Sequence, residues 1–387
     1  MMPAVMATAS TTTATSKGNS TSNLGLAGGL YDRNFNMAIM YSKDEVTWDE
    51  RFNTTEMKWA SMLVGSAYPV DRTGHNNIYD HVHDAVPRFW HTDLSFEECC
   101  MNRAYRLWKQ HDHITLFWSG GIDSTAACIA LRETKPRDAT LTLRCSPDSI
   151  NEFPEFYETV KDICDIHDVN NVMNYGIFAD HTTFKITGEC GDQIFGSDAL
   201  KDKADIWNEH WITIANWDAP YLFPKYGAYG WEDHKMNTLT FLMEHNTYCP
   251  FQIKTLFDFY WWINFTLKWT CVNRRMIYWY SKCPESRSTD AFYNSQEFQC
   301  WSLTNHDLKH QGTWPSYKKP AKDFIYDHFK DATYRDHKIK VPSLALLLPQ
   351  TRTIATPESL QLVLEDGRVW YMNDTIPDDV LEAERIN

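Results

Sequence analysis

His113-Ile-Thr-Leu-Phe-Trp-Ser-Gly-Gly-Ile-Asp-Ser-Thr125 reads as a strand, a turn and the entry to a helix. Residues 113–118 form the short apolar run of a buried strand, residues 119–125 carry the glycines of a turn, and residues 126–132 continue as an apolar helix. Outward from this unit, β-like runs recur at 139–145, 171–175 and 183–187, with a helical stretch at 153–164 between them. Such alternation predicts an α/β fold, a parallel sheet covered by helices on both faces. Upstream, a strand is expected at 37–41, helix around 56–63, and a helix at 95–109 that opens with Ser95 as N-cap and Glu97 and Glu98 in its first turn. After residue 199 the pattern turns helical and aromatic, at 207–214, 237–244, 255–280, 292–303 and 319–329. Near the end, Glu365-Asp-Gly-Arg368 between β-rich runs reads as a hairpin turn within 361–370.

A chain of 387 residues is long enough for two or three domains and at least one sizeable core. Its 55 aromatic residues (16 Trp, 19 Tyr, 20 Phe) exclude a disordered polymer. The net charge of −14 repels polyanions, so general nucleic-acid coating is not expected. Ten cysteines are scattered with no CxxC pair and no Cys/His ligand spacing, which points to reduced thiols in a cytoplasmic compartment. The most apolar stretch, 256–265, is ten residues long and interrupted by Asp258 and Asn264, well short of the roughly 20 that span a bilayer. No membrane association is therefore expected. The histidines show no zinc spacing, and His111, His113, His306 and His310 are expected at the surface. The aromatic run Phe257-Asp-Phe-Tyr-Trp-Trp-Ile-Asn-Phe265 could be a base-stacking platform, but its helical density favours a core helix.

The turn Ser119-Gly120-Gly121-Ile122-Asp123-Ser124 lies between strand and helix, where open backbone N–H groups and the positive end of the helix dipole favour phosphate. Two glycines let the chain approach an anion closely, and Ser119 and Ser124 can donate hydroxyls to it. Asp123 would be misplaced beside bare phosphate but suits Mg²⁺ held against it. The lysine of a Walker A loop is missing. A second candidate, Thr187-Gly-Glu-Cys-Gly-Asp-Gln-Ile-Phe-Gly196, follows the strand at 183–187 and sets Glu189 and Asp192 three residues apart in a glycine-lined turn. Both carboxylates could then face one cleft, one serving a metal and the other proton transfer; an acidic helix N-terminus is the plainer reading of this segment alone.

Together, SGGIDS at 119–124 and TGECGDQIFG at 187–196 resemble the PP-loop ATP pyrophosphatases, and within them the synthetase domain of asparagine synthetases, with its SGGxDS and SGEGxDExFGG patterns. Weaker likenesses follow in the same order: Asn273-Arg-Arg-Met276, Ala291-Phe-Tyr-Asn294, Tyr317-Lys-Lys-Pro-Ala-Lys322 and Arg335-Asp-His-Lys-Ile-Lys-Val-Pro342. The resemblance covers roughly residues 95–345 and is similar to shortened stand-alone forms encoded by phages, which would work in the host cytoplasm. It implies a PP-loop sheet with a helical C-terminal extension, ATP and Mg²⁺ as ligands, and an ATP-dependent carbon–nitrogen ligation through an acyl-adenylate that releases AMP and pyrophosphate. By position, it implies that Ser119, Gly120, Gly121, Asp123, Ser124 and Gly188 hold the nucleotide and that Asp123 and Asp192 flank the metal. It further gives Glu189 the acid/base role, sets Leu143, Cys145 and Ser146 beside adenine and ribose, and has one of Lys318, Lys319 and Lys322 neutralise the departing pyrophosphate; Lys319 fits the family's lysine best, and Lys318 and Lys322 are expected to be solvated. Arg275 is as readily a structural ion-pair partner as a ligand.

Three departures shape the expected chemistry. The first 94 residues resemble no glutaminase domain, so the nitrogen is expected from ammonia or another amine. Gln193 stands where the family has glutamate, which puts recognition of an aspartate ammonium in doubt and leaves the acceptor as a small carboxylate of unspecified kind. Cys190 replaces a glycine and adds a side chain to a tight turn. Two other readings stay open, adenylation of a nucleobase carbonyl and a nucleotide-binding module that no longer reacts. The expected organisation is a low-complexity leader at 1–30, a mixed segment at 31–94, the ATP-binding core at 95–200, the helical extension at 201–345, and a hairpin and tail at 346–387.

Overall fold

The computed structural model of the protein describes residues 60, 63–64, 71–75, 85–168, 182–212, 231–270, 272, 288–340, 352–355, 360–363 and 369–371. Helix α1 (Phe96–Gln110) starts where the sequence places it. The Ser95 hydroxyl accepts from the Glu98 N–H at 3.1 Å, and the Glu98 carboxylate accepts from the Ser95 N–H at 2.7 Å. This reciprocal box satisfies two N–H groups of the helix start, a cap contributing about 1 kcal/mol. Its buried face, Phe96, Cys99, Cys100, Ala104, Leu107 and Trp108, packs on α2 (Ile122–Glu133).

Between those helices runs β1 (His113–Phe117), the centre of a five-stranded sheet with β2 (Thr140–Cys145), β3 (Cys164–Ile166), β4 (Phe184–Thr187) and β5 (Thr289–Ala291). The order is β3-β2-β1-β4-β5 and all four pairings are parallel. Ile114, Leu116 and Phe117 are buried because helices cover both faces of a parallel sheet, which removes any need for alternation. Strand order reverses between β1 and β4, and in an open α/β sheet that switch leaves a crevice at the carboxyl ends of the two strands. Both glycine-bearing motifs lie there.

Two strands escaped the sequence reading. Residues 153–164, expected as one helix, form α4 (Pro154–Val160), following α3 (Pro147–Glu152), and a 3-10 turn, Lys161–Ile163, before β3 begins at Cys164. The sheet takes its fifth strand, β5, from the segment assigned to the helical extension. Each is three residues long, too short to show periodicity. Of the helix expected at 207–214, residues 207–209 are turn, following the 3-10 segment Asp198–Ile206, and His210 forms an isolated antiparallel bridge with Thr255; Trp211 and Ile212 are helical, and 213–214 lie outside the described residues. The runs at 37–41, 171–175 and 273–276, with Arg275, lie outside the described residues, as do residues 1–30. The expected hairpin is present as β7 (Leu360–Val363) paired antiparallel with β8 (Val369–Tyr371), and β6 (Arg352–Ala355) adds a third strand.

Helix α5 (Gly191–Phe195) follows β4, and α6 is Trp231–Asn246. The aromatic tract forms α7 (Leu256–Ile263) and runs on as a π-helical turn, Asn264–Lys268. Phe257, Phe259, Tyr260, Trp261, Trp262 and Phe265 are at most 1% exposed, so they are core and offer no face for a base. Burying each stabilises by about 2 kcal/mol relative to exposure. His306 and His310 are half-buried and pack against this tract; the His306 ring lies 2.9 Å from the Asp258 carboxylate. Then come α8 (Gln296–Thr304), α9 (Lys319–Phe329), which packs on α2, and α10 (Ala332–His337). Among the described residues the eight cysteines are free thiols, and no helix is long and apolar enough to cross a membrane.

Candidate active site

The first turn is tighter than expected, because α2 begins at Ile122 and only Ser119-Gly120-Gly121 separates it from Trp118. Gly120 has φ +74, and a Cβ there would lie 2.3 Å from the Ser149 carbonyl oxygen and 2.7 Å from the Glu152 Cβ. Gly120→Ala should therefore destabilise by about 3 kcal/mol, from left-handed strain together with a backbone clash. Urea unfolding checks this, and a loss below about 1 kcal/mol would contradict the turn geometry. Ser119 and Ser124 lace the turn closed: their hydroxyls are 3.1 Å apart, the Ser119 N–H donates to Ser124 Oγ, and Ser124 Oγ is 3.2 Å from the Gly121 carbonyl. Gly121 caps α2 with no side-chain hydrogen bond, so no side chain competes for the helix's first N–H groups.

The second turn is built on the first. A Cβ at Gly188 would lie 3.0 Å from the Ser124 nitrogen, and one at Gly191 would lie 2.5 Å from the Asp123 Cγ. These two glycines allow the motifs to touch, and through them Asp123 on α2 and Asp192 on α5 share one partner. The Lys318 ammonium is bonded to Asp123 Oδ2 and lies 2.8 Å from Asp192 Oδ1. Lys340 reaches Asp192 Oδ2 at 3.2 Å. Tyr293 donates its hydroxyl to the Asp123 carbonyl at 2.9 Å, and the Tyr317 hydroxyl is 3.5 Å from Asp192 Oδ1. Burial first, and then the neighbouring carboxylates, push both phenols well above their ordinary value, so they act as neutral donors.

The two carboxylates are not equivalent. Burial holds Asp123 above its ordinary value against the pull of Lys318, and its Oδ1 is buried with no hydrogen-bond partner. Burial also raises Asp192, but Lys318 and Lys340 outweigh it and hold that carboxyl well below the usual range. Backbone strain collects at the same place. Of the three non-glycine residues with left-handed backbone among the described residues, Cys190 (φ 66) precedes α5 and Lys318 (φ 62) precedes α9. Strain of this kind, about 1–3 kcal/mol per residue, persists where surrounding structure imposes it and gathers at functional sites.

Several expected roles shift. Lys319 is turned to Asp323 on its own helix, an (i, i+4) pair, and the residue facing the carboxylates is Lys318. Lys318 and Lys322, expected to be solvated, are fully buried. Lys322 donates to the carbonyls of Pro315 and Lys338, and burial together with Lys318, Lys319 and Lys338 lowers it to about 8. Gln193 faces away from the cleft, 2% exposed, with its Nε2 donating to Asn264 Oδ1 at 3.2 Å. Leu143, Cys145 and Ser146 do lie at the carboxyl end of β2, but with buried side chains, and the Ser146 hydroxyl caps α3. Contact with a nucleotide from these three would have to come from backbone atoms. Glu189 is half-buried beside Gly188. Tyr293, Tyr317 and Lys340 were missed, although each lies within a segment quoted for the family likeness.

No group of three or more His, Cys, Asp and Glu side chains among the described residues could hold a metal. The orphaned Asp123 Oδ1 with Asp192 nevertheless fits Mg²⁺, which binds through one or two carboxylates and takes its remaining oxygens from phosphates and water. The chain matches no protein-family model, no curated protein and no solved structure.

Proposed function

We propose that the protein is an ATP-dependent carbon–nitrogen ligase of the PP-loop, asparagine synthetase-like kind, which activates a small carboxylate as an acyl-adenylate and transfers it to ammonia or another amine. The observation that carries this reading is the convergence of Asp123, Asp192 and Lys318 on two interlocked glycine turns at the crossover of a parallel sheet. Helix starts with open N–H groups suit phosphate, while acids beside them suit a divalent cation. In the first step a carboxylate oxygen of the acceptor attacks the α-phosphorus of ATP, the bond to the β-phosphate bridging oxygen breaks, and pyrophosphate leaves. Ser119, Ser124 and the backbone of 120–124 hold the phosphates; Lys318 and Lys340 compensate the charge that builds on the leaving group. Mg²⁺ held by Asp123 and Asp192 would supply further charge neutralisation there. In the second step the amine nitrogen attacks the acyl carbon, AMP leaves with the bridging oxygen, and Glu189 takes the proton released by the amine. Positioning and electrostatics supply the rate.

ATP–pyrophosphate exchange with Mg²⁺, across a panel of carboxylates including aspartate and glutamate and with oligonucleotides, tests the proposal. Exchange dependent on one carboxylate is expected. Exchange driven only by an oligonucleotide would replace it with nucleobase adenylation, and ATP binding with neither exchange nor AMP formation would reduce the protein to a nucleotide-binding module.

A further inference from the structure

Helix α5, which carries Asp192, has only five residues, too few to hold its own position. Its placement comes from side chains of neighbouring elements. Asn264, fully buried at the start of the π-helical turn, donates through Nδ2 to the Gly196 carbonyl at 2.5 Å and to the Asp192 carbonyl at 3.3 Å. Its Oδ1 accepts from Gln193 Nε2, which fixes the amide's orientation. The Ser302 hydroxyl donates to the Ile194 carbonyl at 2.6 Å. The π turn is itself clamped from the far side: the Arg72 N–H donates to the Thr266 carbonyl at 3.1 Å, and its guanidinium donates to the Phe265 carbonyl at 2.6 Å and lies 4.4 Å from the Trp269 ring centroid. Single π turns inside helices recur at functional sites, and here the turn begins at the residue that grips the helix bearing Asp192.

We propose that Asn264 is a positioning residue, setting from the π turn where α5 presents Asp192 to Asp123 and Lys318. For catalysis this rests on the ligase reading, whereas the placement of α5 does not. Gln193, standing where the related pattern has glutamate, thereby becomes part of the mount that carries the site. Asn264→Asp keeps the size and the acceptor but turns two donated bonds into repulsion between oxygens.

Hydrogen exchange and steady-state ATP–pyrophosphate exchange on the full chain test the proposal. In Asn264→Asp, amides of 187–197 should exchange roughly tenfold faster while those of 119–128 are unchanged. The KM for ATP should stay within about twofold, and the maximal exchange rate should fall roughly tenfold, since displacements near 1 Å cost up to about a hundredfold. Gln193→Met, which leaves both donated bonds in place but frees the amide to rotate, should move the same readouts in the same direction by roughly threefold, and it decides the matter if Asn264→Asp does not fold. Unchanged protection at 187–197 would overturn the proposal. So would loosening of both segments with KM and rate worsening together, which marks a general packing defect. If the wild type shows no exchange of pyrophosphate, the ligase reading falls by itself, and local protection at 187–197 still decides the role of Asn264.

Discussion

Lys318→Met should lower the maximal rate of ATP–pyrophosphate exchange by roughly 10²–10³-fold, the usual cost of removing one preorganised group aimed at developing charge. It should also destabilise the protein by about 3 kcal/mol at neutral pH, because it strands a buried charge. Lys340 still serves Asp192 at 3.2 Å, but Asp123 loses the partner of its Oδ2, and its Oδ1 has none. The pH dependence separates the two acids. Asp123 is raised by burial, so what its protonation contributes to stability is fully present below the unfolded carboxyl value and is lost as pH rises through the folded one. Removing the lysine raises Asp123 further. The destabilisation should therefore shrink as pH falls from 7.5 to 5, where the stranded acid takes up a proton. Asp192 is lowered, and its contribution is lost only as pH falls below the ordinary carboxyl range, outside that window. Urea unfolding of both proteins at the two pH values measures this; an equal difference at both, or one below about 1 kcal/mol, would show that Lys318 is not the counter-ion of Asp123.

Gly191→Ala should displace Asp123 from its place beside Lys318. The added Cβ would fall 2.5 Å from Asp123 Cγ and 2.6 Å from its Oδ1, so the carboxylate must swing out of the cleft. A misplacement of that order should cost exchange about a hundredfold. Stability should fall by about 3 kcal/mol as well, because a displaced Asp123 leaves the buried Lys318 ammonium without one of its two carboxylates. Retained exchange within threefold of wild type would show that Asp123 works from another position.

The α/β class and the site's two turns were legible because each rests on local sequence: a continuous apolar strand, glycines where the chain must pass closely, and serines and acids at fixed offsets. Helix α9 was read at its true limits, 319–329, because its amphipathic period is strong. Strands β3 and β5 were not, since three residues such as Cys-Asp-Ile or Thr-Asp-Ala owe their extended form to sheet pairing. That Lys318 rather than Lys319 meets the carboxylates was not legible for a similar reason. Which of two adjacent lysines enters the cleft depends on the left-handed backbone at 318, a tertiary effect with no sequence signature. Asn264 was invisible, being an amide inside an apolar run whose partners lie about 70 residues upstream.

The ion pair that closes the cleft joins residues 195 positions apart. At a ribosomal pace of about 5–20 residues per second, Asp123 emerges roughly 10–40 s before its lysine. Through that interval the strand, turn and helix around it can form, but the carboxylate must stay hydrated, because nothing synthesised so far neutralises it. The crossover cleft thus seals only after residue 318 has emerged, and a nascent chain halted before it would hold an open, acidic sheet end in place of a finished site.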